Sequence, residues 1–135
     1  MLVLDASVAL AWCFDDESSD VADRVLDTVM TAGGVVPASW PLEIANALRT
    51  AERRGRLTVA DHARLRELLV ALPISVEPVD LVGALGDVSE IARTADLSVY
   101  DAAYLALAAR RELPLATTDA RLVRACAAIG VEVAV

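Results

Sequence analysis

Residues 102–109 read Ala-Ala-Tyr-Leu-Ala-Leu-Ala-Ala, with no charge among them. A helix built from them is apolar on every side, and such a helix belongs inside a protein. Ser98 is placed to cap its start, and Arg110 and Arg111 suit its C-terminal end, where cations meet the negative end of the helix dipole. The rest of the chain has to wrap around this element. Asp101 stands in its first turn, where an unpaired carboxylate is costly to bury. Ser98-x-x-Asp101 resembles a capping box with Asp for the usual Glu or Gln, so Asp101 is either a cap residue or an acid held by something else.

Several short, largely apolar segments read as strands: residues 2–4, which run into Asp5, then 35–37, 76–79, 114–117 and 131–135. Helical segments lie between them. They cover residues 6–14; 20–32, with Ser18 and Ser19 as caps; Pro41 to about 54; 59–72, opened by Thr58-x-x-Asp61; and 81–95, in spite of Gly83 and Gly86. A last helix begins at Asp119 or Ala120 and stops at Gly130. Short apolar strands alternating with helices predict a parallel sheet covered on both faces, a three-layer α/β/α architecture. No linker or repeat interrupts the 135 residues, so residues 1–135 are expected to form one domain.

Composition removes several classes of function. The longest uncharged apolar runs are about eight residues, against roughly 20 needed to span a bilayer, and no basic segment opens a signal peptide. Cys13 and Cys126 form no CxxC and read as reduced packing residues of a cytosolic protein; one histidine and two scattered cysteines cannot build a zinc site. The net charge of −8 argues against a generic basic nucleic-acid binder, though not against an enzyme that meets RNA through metal ions and a local patch. All 12 cationic side chains are arginine. The absence of lysine excludes a phosphoaspartate receiver, most haloacid-dehalogenase-like phosphatases and a P-loop. The dehalogenase pattern also wants Asp-x-Asp, and position 7 is Ser7. His62 lies in an arginine-rich helix and reads as a surface residue, not as a triad base. The acids Asp15, Asp16, Glu17, Asp20, Asp23 and Asp27 fit no calcium-loop spacing and read as a solvated face.

Sites in open α/β sheets form beyond the carboxyl ends of the strands. Asp5 follows the first strand, Glu43 opens the helix after the second, Asp101 opens the buried helix, and Asp119 is two residues past the fourth strand. Each alone could be a helix cap or first-turn residue. Together they emerge at one end of the sheet, where converging carboxylates repel unless a cation neutralises them. Hard oxygen donors without histidine or cysteine point to Mg²⁺ or Mn²⁺, and such a site suits phosphoryl chemistry.

Four blocks then carry a resemblance: Leu4-Asp5-Ala6-Ser7-Val8; Leu42-Glu43-Ile44-Ala45-Asn46-Ala47-Leu48; Tyr100-Asp101-Ala102-Ala103-Tyr104-Leu105-Ala106-Leu107-Ala108; and Ala116-Thr117-Thr118-Asp119-Ala120-Arg121-Leu122. In this order and spacing they resemble the signature blocks of PIN-domain ribonucleases, more narrowly the VapC-type toxins of bacterial toxin–antitoxin pairs. The resemblance implies a PIN-like domain in which Asp5, Glu43, Asp101 and Asp119 bind Mg²⁺ or Mn²⁺ and are the catalytic acids. Thr117 matches the family's supporting hydroxyl residue, and Ser7 and Asn46 occupy positions that are often polar. Asp96 stands where many relatives have glycine and is not counted as a ligand. The implied activity is metal-dependent hydrolysis of RNA, tRNA or rRNA, leaving a 5′-phosphate and a 3′-hydroxyl and stopping translation. The implied partners are a second copy in a homodimer and a cognate VapB-like antitoxin, in a cytoplasmic hetero-oligomer.

Arg49, Arg53, Arg54 and Arg56, with Arg64 and Arg66, form the one concentrated basic region. They read either as phosphate contacts for RNA or as a solvated helix face paired with nearby acids. Trp12 and Trp40 read as core or dimer-interface residues rather than base-stacking platforms. Two alternatives stay beside the toxin reading: a PIN-like RNA- or protein-binding module that does not cleave, and an RNA-processing nuclease without an antitoxin.

Overall fold

The computed structural model describes residues 1–134. Its sheet consists of β1 (Leu2–Leu4), β2 (Gly34–Pro37), β3 (Ile74–Glu77) and β4 (Leu115–Ala116), all parallel and in the order β3-β2-β1-β4. From β1 the chain builds outward through β2 to β3, then returns to add β4 on the other side of β1. The point where the two directions part lies between β1 and β4, the kind of crevice in which open α/β sheets hold ligands. β1 is buried over its whole length, so all three of its side chains belong to the core.

Helices cover both faces, as the alternation of elements demands. They are α1 (Ala6–Cys13), α2 (Asp20–Ala32), α3 (Trp40–Arg53), α4 (Val59–Ala71), α5 (Leu81–Gly83), α6 (Ser89–Ala95), α7 (Val99–Arg111) and α8 (Ala120–Ile129). Capping chemistry sets several starts. The Ser19 hydroxyl accepts the Ala22 amide, Thr58 and Asp61 form a reciprocal capping box, and the Ser98 hydroxyl accepts the Asp101 amide. α7 is the uncharged helix. It packs on β1, β2 and β4, with Ala102, Tyr104, Leu105, Ala106, Leu107 and Ala108 buried. Burying a leucine such as Leu105 stabilises the fold by about 1.5–3 kcal/mol, and Leu105→Ala would cost about 2–5 kcal/mol. At the C-terminal end of α7, Arg110 and Arg111 both pair with Glu77, the last residue of β3.

Three expectations need correction. The third strand lies at Ile74–Glu77 rather than 76–79, in register Gly34↔Ile74 through Pro37↔Glu77. Pro78 has no N–H to give to a ladder, so pairing starts just after Pro73 and stops before Pro78. The continuous helix over 81–95 is broken: Ala84–Val88 forms a π-type turn in which Gly86 adopts φ −96°, ψ −105°. The Ser89 hydroxyl closes the break by donating to the Ala84 carbonyl at 2.6 Å. The last strand, expected over 131–135, is reduced to a single parallel bridge, Leu115↔Val133. Val135 lies outside the described residues. β4 has only two residues to pair with, which leaves little ladder for a strand beyond it.

The cysteines and tryptophans serve packing. Cys126 is buried, and Cys13 packs partly against the core. Trp12 donates to the Ala22 carbonyl at 2.8 Å, while Trp40 is buried with its indole N–H unpaired.

Candidate active site

The β1/β4 ladder pairs Val3 with Leu115 and Leu4 with Ala116. The next residue on each strand is therefore Asp5 and Thr117, side by side where both strands end. The Asp5 amide donates to the Ala116 carbonyl at 3.0 Å, continuing the ladder by one bond. The Thr117 hydroxyl then donates to Asp5 Oδ2 at 2.6 Å and accepts the Asp119 amide at 3.0 Å. Ser7 completes the arrangement, donating to the same Oδ2 at 2.7 Å and accepting the Thr118 amide at 3.2 Å. Asp5 precedes α1 but makes no capping bond with its side chain. Its carboxylate is turned toward Ser7 and Thr117, and the residue as a whole is only 6 % exposed.

Glu43 comes from the first turn of α3, on the β2 side. Its Oε2 accepts the Tyr104 hydroxyl at 3.0 Å and its Oε1 accepts the Ser39 hydroxyl at 3.2 Å. Tyr104 lies three residues after Asp101, so α7 presents both on neighbouring parts of one face toward Glu43. Asp101 receives the Ser98 cap at its amide, but its carboxylate does not return the bond; it pairs with Arg121 Nη2 at 3.4 Å. Asp119 caps α8, accepting the Arg121 amide at 2.8 Å, and also meets Arg121 Nη2 at 3.3 Å. Of the four acids, Asp119 alone does the work of a cap with its side chain.

Electrostatics follow from this placement. Asp5 titrates above the ordinary aspartate range, chiefly through burial and further through the Asp101 charge, against hydrogen bonds from Thr117 and Ser7. Glu43 is raised likewise by burial and by Asp5 and Asp101, against its bonds from Tyr104 and Ser39. The Tyr104 phenol is pushed far up by burial and by both carboxylates, so it stays protonated as a donor. Asp119 differs: burial raises it, but the amides of Arg121 and Leu122 and the Arg121 guanidinium together hold it below the usual range. Asp5 thus feels the charge of Asp101, and Glu43 the charges of both Asp5 and Asp101. The donor set is hard oxygen throughout and suits Mg²⁺ or Mn²⁺. Among the described residues no three acidic, histidine or cysteine side chains are grouped closely enough to hold an ion as they stand. The acids of α7 and α8 are drawn instead to Arg121.

Among the described residues, none of the other candidates hydrogen-bonds to these four acids. Asn46, three residues after Glu43, is exposed and makes no side-chain hydrogen bond among the described residues. Arg49 pairs with Glu52. Arg56 pairs with Asp16 and Glu17 and lies 4.3 Å from the centroid of the Phe14 ring. Arg53 and Arg54 have no acid partner among the described residues. They sit about 15 Å along α3 from Glu43, at 1.5 Å per residue. His62 pairs with Glu52 on the flank between α3 and α4. Asp96 takes a left-handed conformation, φ 53°, at the end of α6, the backbone state that favours glycine at such a position.

Tyr104, Ser39 and Arg121 were not singled out from the sequence. Tyr104 is the one side chain within residues 102–109 with a polar atom, one turn from Asp101, and that was a usable signal. Arg121 had another: a cation in a helix's first turn opposes the helix dipole. Ser39 carried none beyond standing before Trp40-Pro41.

Sheet order, crevice and acids together define a PIN domain: the PIN domain family model matches residues 2–128, and the chain belongs to that family. Within it, the chain is similar to VapC ribonuclease Mb0985 of Mycobacterium bovis, 37 % identical over 125 residues that cover 90 % of this chain and 88 % of the relative. It is similar also to ribonuclease VapC3 of Pyrobaculum aerophilum, 31 % identical over 121 residues covering 90 % and 91 %. The crystal structure of PAE2754 from Pyrobaculum aerophilum shares the fold with a TM-score of 0.68 at 22 % identity, over 92 % of this chain and 83 % of that one. No helix among the described residues is long and apolar enough to cross a membrane.

Proposed function

We propose that residues 1–135 act as one VapC-type endoribonuclease domain, a toxin that cuts tRNA or rRNA in the cytoplasm and is neutralised by a VapB-like antitoxin. The observation that carries this reading is the Thr117 hydroxyl, which bonds Asp5 and receives the Asp119 amide where β1 and β4 end, with Glu43 near enough to be raised by the charges of Asp5 and Asp101. The relatives named VapC ribonuclease support the same reading.

Asp5, Glu43, Asp101 and Asp119 would hold Mg²⁺ or Mn²⁺, which when bound supplies water activation and neutralises charge on the scissile phosphate. The chain's own part is positioning. Ser7 and Thr117 fix Asp5, and Tyr104 and Ser39 fix Glu43, so two of the four acids are oriented before substrate arrives. Outer hydrogen bonds of this kind govern both metal affinity and rate. The homodimer and the hetero-oligomer with the antitoxin belong to the same proposal.

The test is cleavage of total RNA with 5′-end mapping, using wild type, Asp5→Asn and Asp101→Asn, each with Mg²⁺, Mn²⁺ or EDTA. Discrete cuts bearing 5′-phosphates that need metal and vanish in both folded variants are expected. No cut in any RNA by folded, antitoxin-free wild type would favour a binding module instead. Cutting that survives both substitutions would place the chemistry elsewhere.

A further inference from the structure

The four acids fall into two halves that are held differently. The side-chain partners of Asp5 and Glu43 are hydroxyls: Ser7 and Thr117 at 2.7 and 2.6 Å, Ser39 and Tyr104 at 3.2 and 3.0 Å. Asp101 and Asp119 instead share one guanidinium, Arg121 Nη2, at 3.4 and 3.3 Å. Arg121 enters α8 at its second residue, where the helix dipole is positive and a cation is disfavoured. A residue that opposes the preference of its own helix points to a functional constraint. Both contacts are longer than the roughly 2.7–2.9 Å of strong charge-assisted bonds, and the Arg121 side chain is 60 % exposed. Pairs of that kind are weak and exchange readily.

We propose that Arg121 is a displaceable counter-ion. It holds Asp101 and Asp119 in the metal-free protein and competes with the divalent cation for them. One guanidinium leaves two carboxylates with a net negative charge, which a divalent ion balances in full, so the ion wins once its concentration suffices. Arg121 thereby sets the metal concentration at which all four acids act together. This inference rests on the metal-dependent reading above. It makes Arg121 a positioning residue, acting through Asp101 and Asp119.

The experiment is Mn²⁺ binding to the full chain, followed by calorimetry and by loss of the free-ion EPR signal, at fixed ionic strength. Wild type, Arg121→Gln and Arg121→Lys are compared, with circular dichroism to check folding. Arg121→Gln should bind Mn²⁺ about three- to fivefold more tightly, and Arg121→Lys, which keeps the charge, should stay within about twofold of wild type. Equal or weaker binding by folded Arg121→Gln overturns the proposal. So does Arg121→Lys binding as tightly as Arg121→Gln, because charge would then not be the cause. If wild type takes up no Mn²⁺, the metal reading fails and the counter-ion falls with it. If wild type binds and only the Arg121→Gln effect is missing, the counter-ion alone is wrong.

Discussion

Asp5 and Thr117 stand 112 positions apart in sequence and meet through a 2.6 Å hydrogen bond where β1 and β4 end together. Their alignment is a consequence of the Leu4↔Ala116 register, so the strand pairing itself delivers the hydroxyl to the carboxylate. Because the same hydroxyl accepts the Asp119 amide, Thr117 connects two of the four acids.

Thr117→Val keeps the shape and removes that connection. Asp5 loses its shortest donor and the Asp119 amide loses its acceptor. Cleavage and Mn²⁺ affinity should each fall about 10–100-fold. Thermal unfolding should report a loss of about 1–3 kcal/mol, the usual cost of leaving such groups unsatisfied. Activity at the wild-type level would show that the hydroxyl has no part in the site.

Tyr104→Phe tests the Glu43 half. The ring stays in its buried position, but Glu43 loses one of the bonds that restrain its upward shift. Activity should fall about tenfold. The acid limb of the pH–rate profile should also move to higher pH, a change that a packing defect alone would not cause.

In the metal-free protein, Asp5 and Glu43 contribute a loss of stability as pH rises. Asp5 and Glu43 titrate above their unfolded values of 3.8 and 4.5. Below those values both states are protonated and stability is at its full value. As pH climbs through the raised folded values, the unfolded chain gives up its protons first, and folding becomes less favourable. In EDTA the melting temperature of wild type should therefore fall relative to that of Asp5→Asn as pH rises above 3.8. Asp5→Asn should thereby raise neutral-pH stability relative to wild type. Asp119 has the opposite sign: its lowered value contributes stability above 3.8 that is lost on acidification.

Charge reversal at Arg53 and Arg54 tests RNA contact on α3. These two arginines have no acid partner among the described residues, whereas Arg49 and Arg56 are already paired. Arg53→Glu with Arg54→Glu should slow cleavage several-fold and reduce its salt dependence while leaving the melting temperature unchanged. Unchanged cleavage and salt dependence would leave these side chains as a solvated face.

Much of this architecture could be read from residues alone. The apolar run of α7 announced a buried helix, and the capping hydroxyls of Ser19, Thr58 and Ser98 announced helix starts, because both signals are local. What escaped was set by neighbours. The position of β3 depended on where two prolines let a ladder run, and the break at Gly86 on a backbone state that composition does not reveal. At the site, the acids were visible as strand-end residues, but their separate restraints were not. That Arg121 would fold back over Asp119 to reach Asp101, rather than point to solvent, is a matter of how α7 and α8 face each other.

The short ladder between β1 and β4 also has a temporal consequence. Asp5 is synthesised 112 residues before Thr117, and the fourth acid follows only at residue 119. A chain that stops before β4 lacks the hydroxyl that bonds Asp5. With the four acids acting together as proposed, fragments ending before residue 119 should be inert.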